Sequence, residues 1–194
     1  MKARRVKGLD PEGELAVNAY RIVAVRLDEL EALALPALEH GEAGALHDMR
    51  IASKRLRYVL EMTAPALGEA AREGAKTAKA LQDVLGEIHD CDEMLPRVGA
   101  RIARLRDSDA DALRAAAGDG AKDLDPAAAA ETPNGTHYRG LEVLSVYLTA
   151  RRAVLFDRLS DQWAELEPQG FAAELLEGLS DARAPRAPTG EAAP

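Results

Sequence analysis

An all-α fold, an antiparallel bundle of about five helices, is what this sequence predicts, on three observations. Apolar residues recur at intervals of three and four along most of the chain. No stretch shows the period-two alternation of a half-buried strand. Apolar residues make up 47% of the chain but aromatic ones only 4%, so the core must be built from leucine, alanine and valine, which suits closely packed helices.

Each element follows from its own residues. Residues 1–9 read as a basic N-terminal arm carrying Lys2, Arg4, Arg5 and Lys7. Asp10-Pro11-Glu12 has the form of a helix start, with a capping acid followed by proline. From Glu14 onward, Leu15, Ala19, Ile22, Val23, Leu27, Leu30, Ala34 and Leu35 or Leu38 recur at helical spacing, and Pro36 should kink or end that helix. Gly41 and Gly44 mark the turn into a second helix, which should stop near Thr63 because Pro65 and Gly68 follow. A third helix should run over 69–95, bend at Pro96 and resume to Arg106; Gly86 inside it suggests a close approach between helices. Residues 107–135 are rich in Ala, Asp and Gly and read as a mobile connection. A long helix is expected over 136–166, with Leu141, Leu144, Tyr147 or Leu148, Leu155, Leu159 and Trp163 inward, and a last short one over 171–179. Residues 10–180 thus read as a single domain, and 181–194, with no large apolar residue, as a disordered tail.

Composition excludes several classes. No run of 18 apolar residues exists to span a membrane, and no hydrophobic stretch follows the basic arm to make a signal peptide. The single cysteine, Cys91, allows no internal disulfide and fits a reducing cytoplasm; flanked by Asp90 and Asp92, it reads as a small packed residue. With 25 Lys+Arg against 33 Asp+Glu the chain is acidic, which disfavours a sequence-specific nucleic-acid binder.

Against that background one segment stands out. His47 to Glu61 holds Arg50, Lys54, Arg55 and Arg57 against Asp48 before Glu61. At about 100° per residue, His47, Arg50, Lys54, Arg57 and Glu61 share one sector of a helix, while Leu46, Met49, Ser53, Leu56 and Leu60 fill the adjacent sector. The cations therefore flank the core-facing seam, where their stems can pack on apolar neighbours while their heads line a groove. Cations about one turn, 5.4 Å, apart suit a string of phosphates. Arg55 projects elsewhere and is the weakest member of the row. The plain alternative is a solvated helix face with ordinary ion pairs.

The segment resembles the signature of the conserved histidine α-helical domain, or CHAD, family: His47, Arg50, Ile51, Ala52, Lys54, Arg55, Leu56, Arg57 and Tyr58 fit His-x-x-Arg-(Val/Ile)-Ala-x-(Lys/Arg)-Arg-Leu-Arg-Tyr. Leu81-Gln82-Asp83-Val84-Leu85-Gly86-Glu87-Ile88-His89-Asp90 is similar to a second element of that family. The resemblance covers residues 10–105 and, weakly, 136–178. It implies an all-helical domain that binds inorganic polyphosphate through a basic surface, with His47, Arg50, Lys54 and Arg57 on that surface. Such domains usually carry two similar repeats, each with a basic helix; this chain shows one, and is therefore a short form.

Other residues were weighed beside these. Lys76 and Lys79, one turn apart, are candidates to extend the basic surface across the groove; Arg151 and Arg152 are further candidates to complete it, and Arg21, Arg26 and Arg158 weaker ones. Asp83 and Asp90, seven apart, read as partners that hold the signature arginines. No metal site is expected, since nearby arginines oppose a cation and the histidines lack ligand spacing. No phosphate loop, nucleophile elbow or zinc motif is present, so neither catalysis nor a cofactor is expected. The expected function is non-catalytic binding of inorganic polyphosphate, in the cytoplasm and at polyphosphate granules. The alternative is a scaffold that docks an acidic segment of a phosphate-metabolising protein. If a complete surface needs two basic helices, a homodimer would supply the second, with apolar residues around Val154, Leu155 and Trp163 as its interface.

Overall fold

The computed structural model describes residues 2–167 and 170–183. Four α-helices dominate: α1 (Leu15–His40), α2 (Ala43–Ala117), α3 (Gly135–Leu166) and α4 (Phe171–Arg183), with a 3-10 turn at Pro126–Glu131. No strand occurs among the described residues, and no helix there is long and apolar enough to cross a membrane. The chain divides into two compact units. One holds residues up to 86 and those from 158 on; the other holds residues 87–157.

The helix boundaries differ from the sequence expectation for identifiable reasons. Asp10 caps a turn, not a helix: its Oδ1 accepts the Glu12 N–H at 3.1 Å and its carbonyl accepts the Gly13 N–H at 3.1 Å. The helix itself begins after Glu14, which keeps extended dihedrals. Pro36 lies inside α1 and Pro65 and Pro96 inside α2 without ending either. Each proline is exposed, so its missing N–H costs one helical bond and leaves only an acceptor, the carbonyl four residues earlier, without its usual donor. Gly41 ends α1 in the left-handed region, donating its N–H to the Ala37 carbonyl at 3.0 Å. Within α2 the break is Gly68, at φ 73° and ψ −151°, a conformation closed to residues with a side chain. Gly68 thus divides α2 into a first arm, 43–67, and a second arm from 69. The second arm runs to Ala117, beyond the expected Arg106, which shortens the connection before α3 to 118–134. At the other end, α4 reaches Arg183, so residues 181–183 are helical; the rest of the expected tail, 184–194, lies outside the described residues.

In the first unit the core is a leucine and alanine seam. The first arm of α2 buries Leu46, Met49, Ala52, Leu56, Leu60 and Leu67, and α1 buries Ala19, Val23, Leu27, Leu30, Ala34 and Ala37. Ser53 sits in the same seam, its hydroxyl donating to the Met49 carbonyl at 3.0 Å. Leu15, expected inward, is exposed, and of the alternatives Leu35 or Leu38 it is Leu38 that is half-buried while Leu35 is exposed. α4 packs against α1 and also lies close on the second arm of α2. A Cβ at Gly178 would fall 2.8 Å from that of Ala70, and one at Gly74 would fall 2.7 Å from Leu175 Cδ1. Two glycines therefore set how near these helices come.

The basic arm is not a free appendage. Arg4 pairs with Asp28 and gives its backbone N–H to Glu29. Arg26 donates to the Arg4 carbonyl at 2.9 Å and pairs with Glu29, and Arg21 donates to the Gly8 carbonyl. Arg21 and Arg26, weighed as anion ligands, instead tie the arm to α1.

In the second unit, α3 buries Leu148 and Leu155. Leu144, expected inward, is exposed, and of the alternatives Tyr147 or Leu148 it is Leu148 that turns inward. Asp109 closes the connection, its Oδ1 accepting the Asn134 backbone N–H at 3.1 Å and the side-chain amide at 2.8 Å.

Candidate anion-binding site

The signature residues lie on the first arm of α2 as their spacing requires, because the buried leucine seam fixes the rotation of that arm. Arg50, Lys54 and Arg57 sit half-buried at the margin of the seam. Two contacts show what they face. The Arg57 Nη1 donates to Gln82 Oε1 at 3.2 Å. A Cβ at Gly86 would lie 3.7 Å from the Arg50 Nε, so the glycine leaves room for that guanidinium to lie along the second arm. Residue 57 meets 82 and residue 50 meets 86, so the two arms run antiparallel after the break at Gly68.

The second arm adds its own cations to a strip between the arms. Glu61, Ala64, Arg72, Ala75, Lys76 and Lys79 line a shallow depression between the arms. Arg57 reaches its rim through a bond from its Nε to Glu61 Oε1 at 2.9 Å. Lys76 and Lys79, the candidates for the far side of the groove, both line this depression. Arg72, which the sequence reading missed, joins them; its spacing of one turn from Lys76 and two from Lys79 was the available signal.

The strip is unevenly neutralised. Lys76 pairs with Glu73 at 2.6 Å, Arg72 with Glu69 at 2.8 Å, and Lys79 with Asp83. The Glu73 carboxylate, through a hydrogen bond and its charge, raises the Lys76 pKa. The hydrogen bond from Arg72 holds the Glu69 carboxyl below its usual value. These pairs are exposed and lie within single turns, where solvent leaves them worth little. Arg50 and Lys54 differ. Among the described residues neither has a carboxylate partner, and the Arg50 Nε is buried without a hydrogen-bond acceptor. Lys54 lies 5.7 Å and Arg57 4.9 Å from the centre of the Tyr58 ring, which steadies both heads at the groove. Tyr58 and Gln82 are supporting residues that the charge pattern alone did not reveal. His47 is half-buried on the same arm.

Two expectations need adjustment. Asp83 does not hold a signature arginine; it takes Lys79 from its own arm, and its neighbour Gln82 receives Arg57. A seven-residue spacing put Asp83 and Asp90 on one face but did not say which side chain of the second arm meets Arg57. Arg55, as its helical angle required, leaves the row, and its charge helps lower the Glu29 pKa. Glu29 itself is almost fully buried, which works against its charge. The N–H of Arg4 and the guanidinium of Arg26, with Arg55 beyond, outweigh that and hold its carboxyl below the usual value.

Arg151 and Arg152 belong to the second unit, where both are engaged. Arg151 pairs with Glu87 and reaches Cys91 Sγ at 3.7 Å. Arg152 grips Asp92 through two nitrogens. No cluster of three or more metal-ligating side chains occurs among the described residues.

The sequence of this region has a counterpart among known families. The family model of the CHAD domain matches residues 7–99. That stretch is similar to the CHAD domain. The match takes in α1, the whole first arm of α2 and the second arm through Gly99, and so includes every residue of the cation strip. No curated protein and no solved structure matches the chain.

Proposed function

We propose that the chain binds inorganic polyphosphate, without degrading it, along the groove between the two arms of α2. The observation that carries this reading is the state of Arg50 and Lys54: two cations at the margin of a packed seam, with no carboxylate partner among the described residues, in a chain with a formal net charge of −8. Cations held together at the margin of a packed seam without such partners favour an external anion there. Lys79, Lys76 and Arg72 continue the strip, and their exposed carboxylate partners can be displaced by phosphate at small cost. The CHAD match over the same residues supports the assignment.

Binding by this strip is additive and electrostatic. Each cation meets one or two phosphate oxygens and releases condensed counterions from the polymer, so affinity falls steeply with salt. A linear polymer gains over free phosphate because successive turns each present a cation about 5.4 Å further along. The strip offers no nucleophile with an attendant base, so the proposed role is retention and not cleavage.

The test is to incubate purified protein with long-chain polyphosphate and Mg²⁺ or Mn²⁺, then follow both complex formation and chain length on gels. A retarded complex with unchanged chain length is expected. Shortening of the chains would show a hydrolase, and no complex with polyphosphate beside capture of an acidic protein segment would show a scaffold.

A further inference from the structure

We propose that two copies of this chain associate through the outward face of α3, antiparallel about a two-fold axis level with residue 148, between Val146 and Ala150 on that face. The buried side of α3 in the second unit is formed by Leu148 and Leu155. On the helical wheel the opposite side carries Arg139, Val143, Val146, Ala150, Ala153, Val154 and Asp157. An outward helix face is ordinarily polar. Here Val143, Val146 and Val154 are 65%, 71% and 66% exposed, and Tyr147, at their edge, is 59% exposed. The spacing of 139, 143, 146, 150, 153 and 157 alternates four and three, the pattern of a helix–helix seam.

The order of charges selects the occupant. The face begins with Arg139 and ends with Asp157, and neither has an ion-pair partner among the described residues. Glu142, on its flank, is already taken by Arg106. Between the two ends the face is apolar. A second copy laid antiparallel sets valines and alanines against each other and brings each Arg139 to the other copy's Asp157, so both charges are answered twice. A parallel copy would set like charges together. Ala150 set against the other copy's Val146, and Ala153 against its Val143, let the two helices approach to the close end of the usual 8–10 Å range. One helix face is smaller than the roughly 800 Å² per partner of a standard stable interface, so the association is reversible and concentration-dependent. Of the residues that the sequence suggested for an interface, Val154 lies on this face. Leu155 is buried behind it, and Trp163 lines a pocket of the first unit with Leu35, Leu38 and Phe171.

This inference stands apart from the polyphosphate reading and is tested without polyphosphate. Sedimentation equilibrium of the full chain, from low micromolar to near-millimolar concentration, should show the mass rising from 20.8 kDa toward twice that value. Val146→Glu should hold it at the monomer with an unchanged circular-dichroism spectrum, since the side chain is exposed. Arg139→Asp and Asp157→Arg should each weaken association at least tenfold, and the two together should restore it. A monomer at every concentration overturns the proposal, leaving this face to an unrelated partner helix or a lipid surface. So does association indifferent to Val146→Glu, or a double reversal weaker than either single one.

Discussion

Two sets of basic residues in this chain look alike in the sequence and differ in the structure. On the first arm of α2, Arg50 and Lys54 have no carboxylate partner among the described residues. On α3, Arg151 and Arg152 face Glu87 and Asp92, and Arg152 and Asp92 are only 24% and 15% exposed. Both sets sit at the edge of a helical seam, and both were candidates for one anion surface. The difference lies in what the neighbouring helix supplies. Opposite Arg50 and Arg57 the second arm presents Gly86 and Gln82, neither charged; opposite Arg151 and Arg152 the same helix, further on, presents acids. A cation is available to a ligand where the facing helix withholds its carboxylate, and it serves packing where the carboxylate is given.

The comparison breaks most sharply if the two sets exchange roles on mutation. Arg50→Glu with Lys54→Glu should lower polyphosphate affinity by about a hundredfold or more, at about 1.5 kcal/mol for each lost charge-assisted contact, and leave the thermal midpoint nearly unchanged. Isothermal titration and a melting curve on one sample check both halves. Arg152→Ala should do the reverse. It leaves the Asp92 carboxylate half-buried and alone, a loss of about 2 kcal/mol of stability, with polyphosphate binding held within about twofold. Denaturant unfolding beside the same titration decides it.

A smaller effect concerns the arm. The Glu29 carboxyl is held below its ordinary value in the folded chain, so the stability it contributes is complete above the usual glutamate pKa, near 4.5. That contribution is lost as pH falls through the lowered folded value. Hydrogen exchange at the Arg4 amide, which Glu29 accepts, should accelerate relative to the α1 core as the solution is taken below that point, and Glu29→Gln should remove the pH dependence. The smallest effects belong to the exposed lysines. Lys76→Ala and Lys79→Ala should each weaken polyphosphate binding by about two- to fivefold and reduce the salt slope by about one ion, because each contributes one screened contact.

How much of this was legible in the sequence follows from the physics of each feature. Helical periodicity placed the seam of Leu46, Met49, Leu56 and Leu60 and, with it, the outward turn of Arg50, Lys54 and Arg57, because a buried stripe fixes the rotation of its helix. It also set Arg55 off the row. Gly86 was legible as a close approach, though not that a guanidinium would be the neighbour. What was not legible depended on pairing between helices. Gln82 in place of Asp83 as the partner of Arg57 is a matter of one residue of register between the arms, which composition does not encode. The carboxylate partners of Arg151 and Arg152 lie 64 and 60 residues away in sequence. The prolines misled in the opposite sense: Pro36, Pro65 and Pro96 were read as breaks, but on exposed faces they cost the helix too little to end it, and the interruption fell at Gly68.

The central claim, that the groove between the arms of α2 is a polyanion site, is tested most directly by one titration. Long-chain polyphosphate is titrated into the native chain and into Arg50→Glu/Lys54→Glu, at low and at moderate salt. The account predicts saturable binding by the native chain that weakens steeply as salt rises, and a double variant whose affinity and salt slope both fall. Equal affinity and equal slope for the two proteins would place the polyanion elsewhere on the molecule and contradict the account.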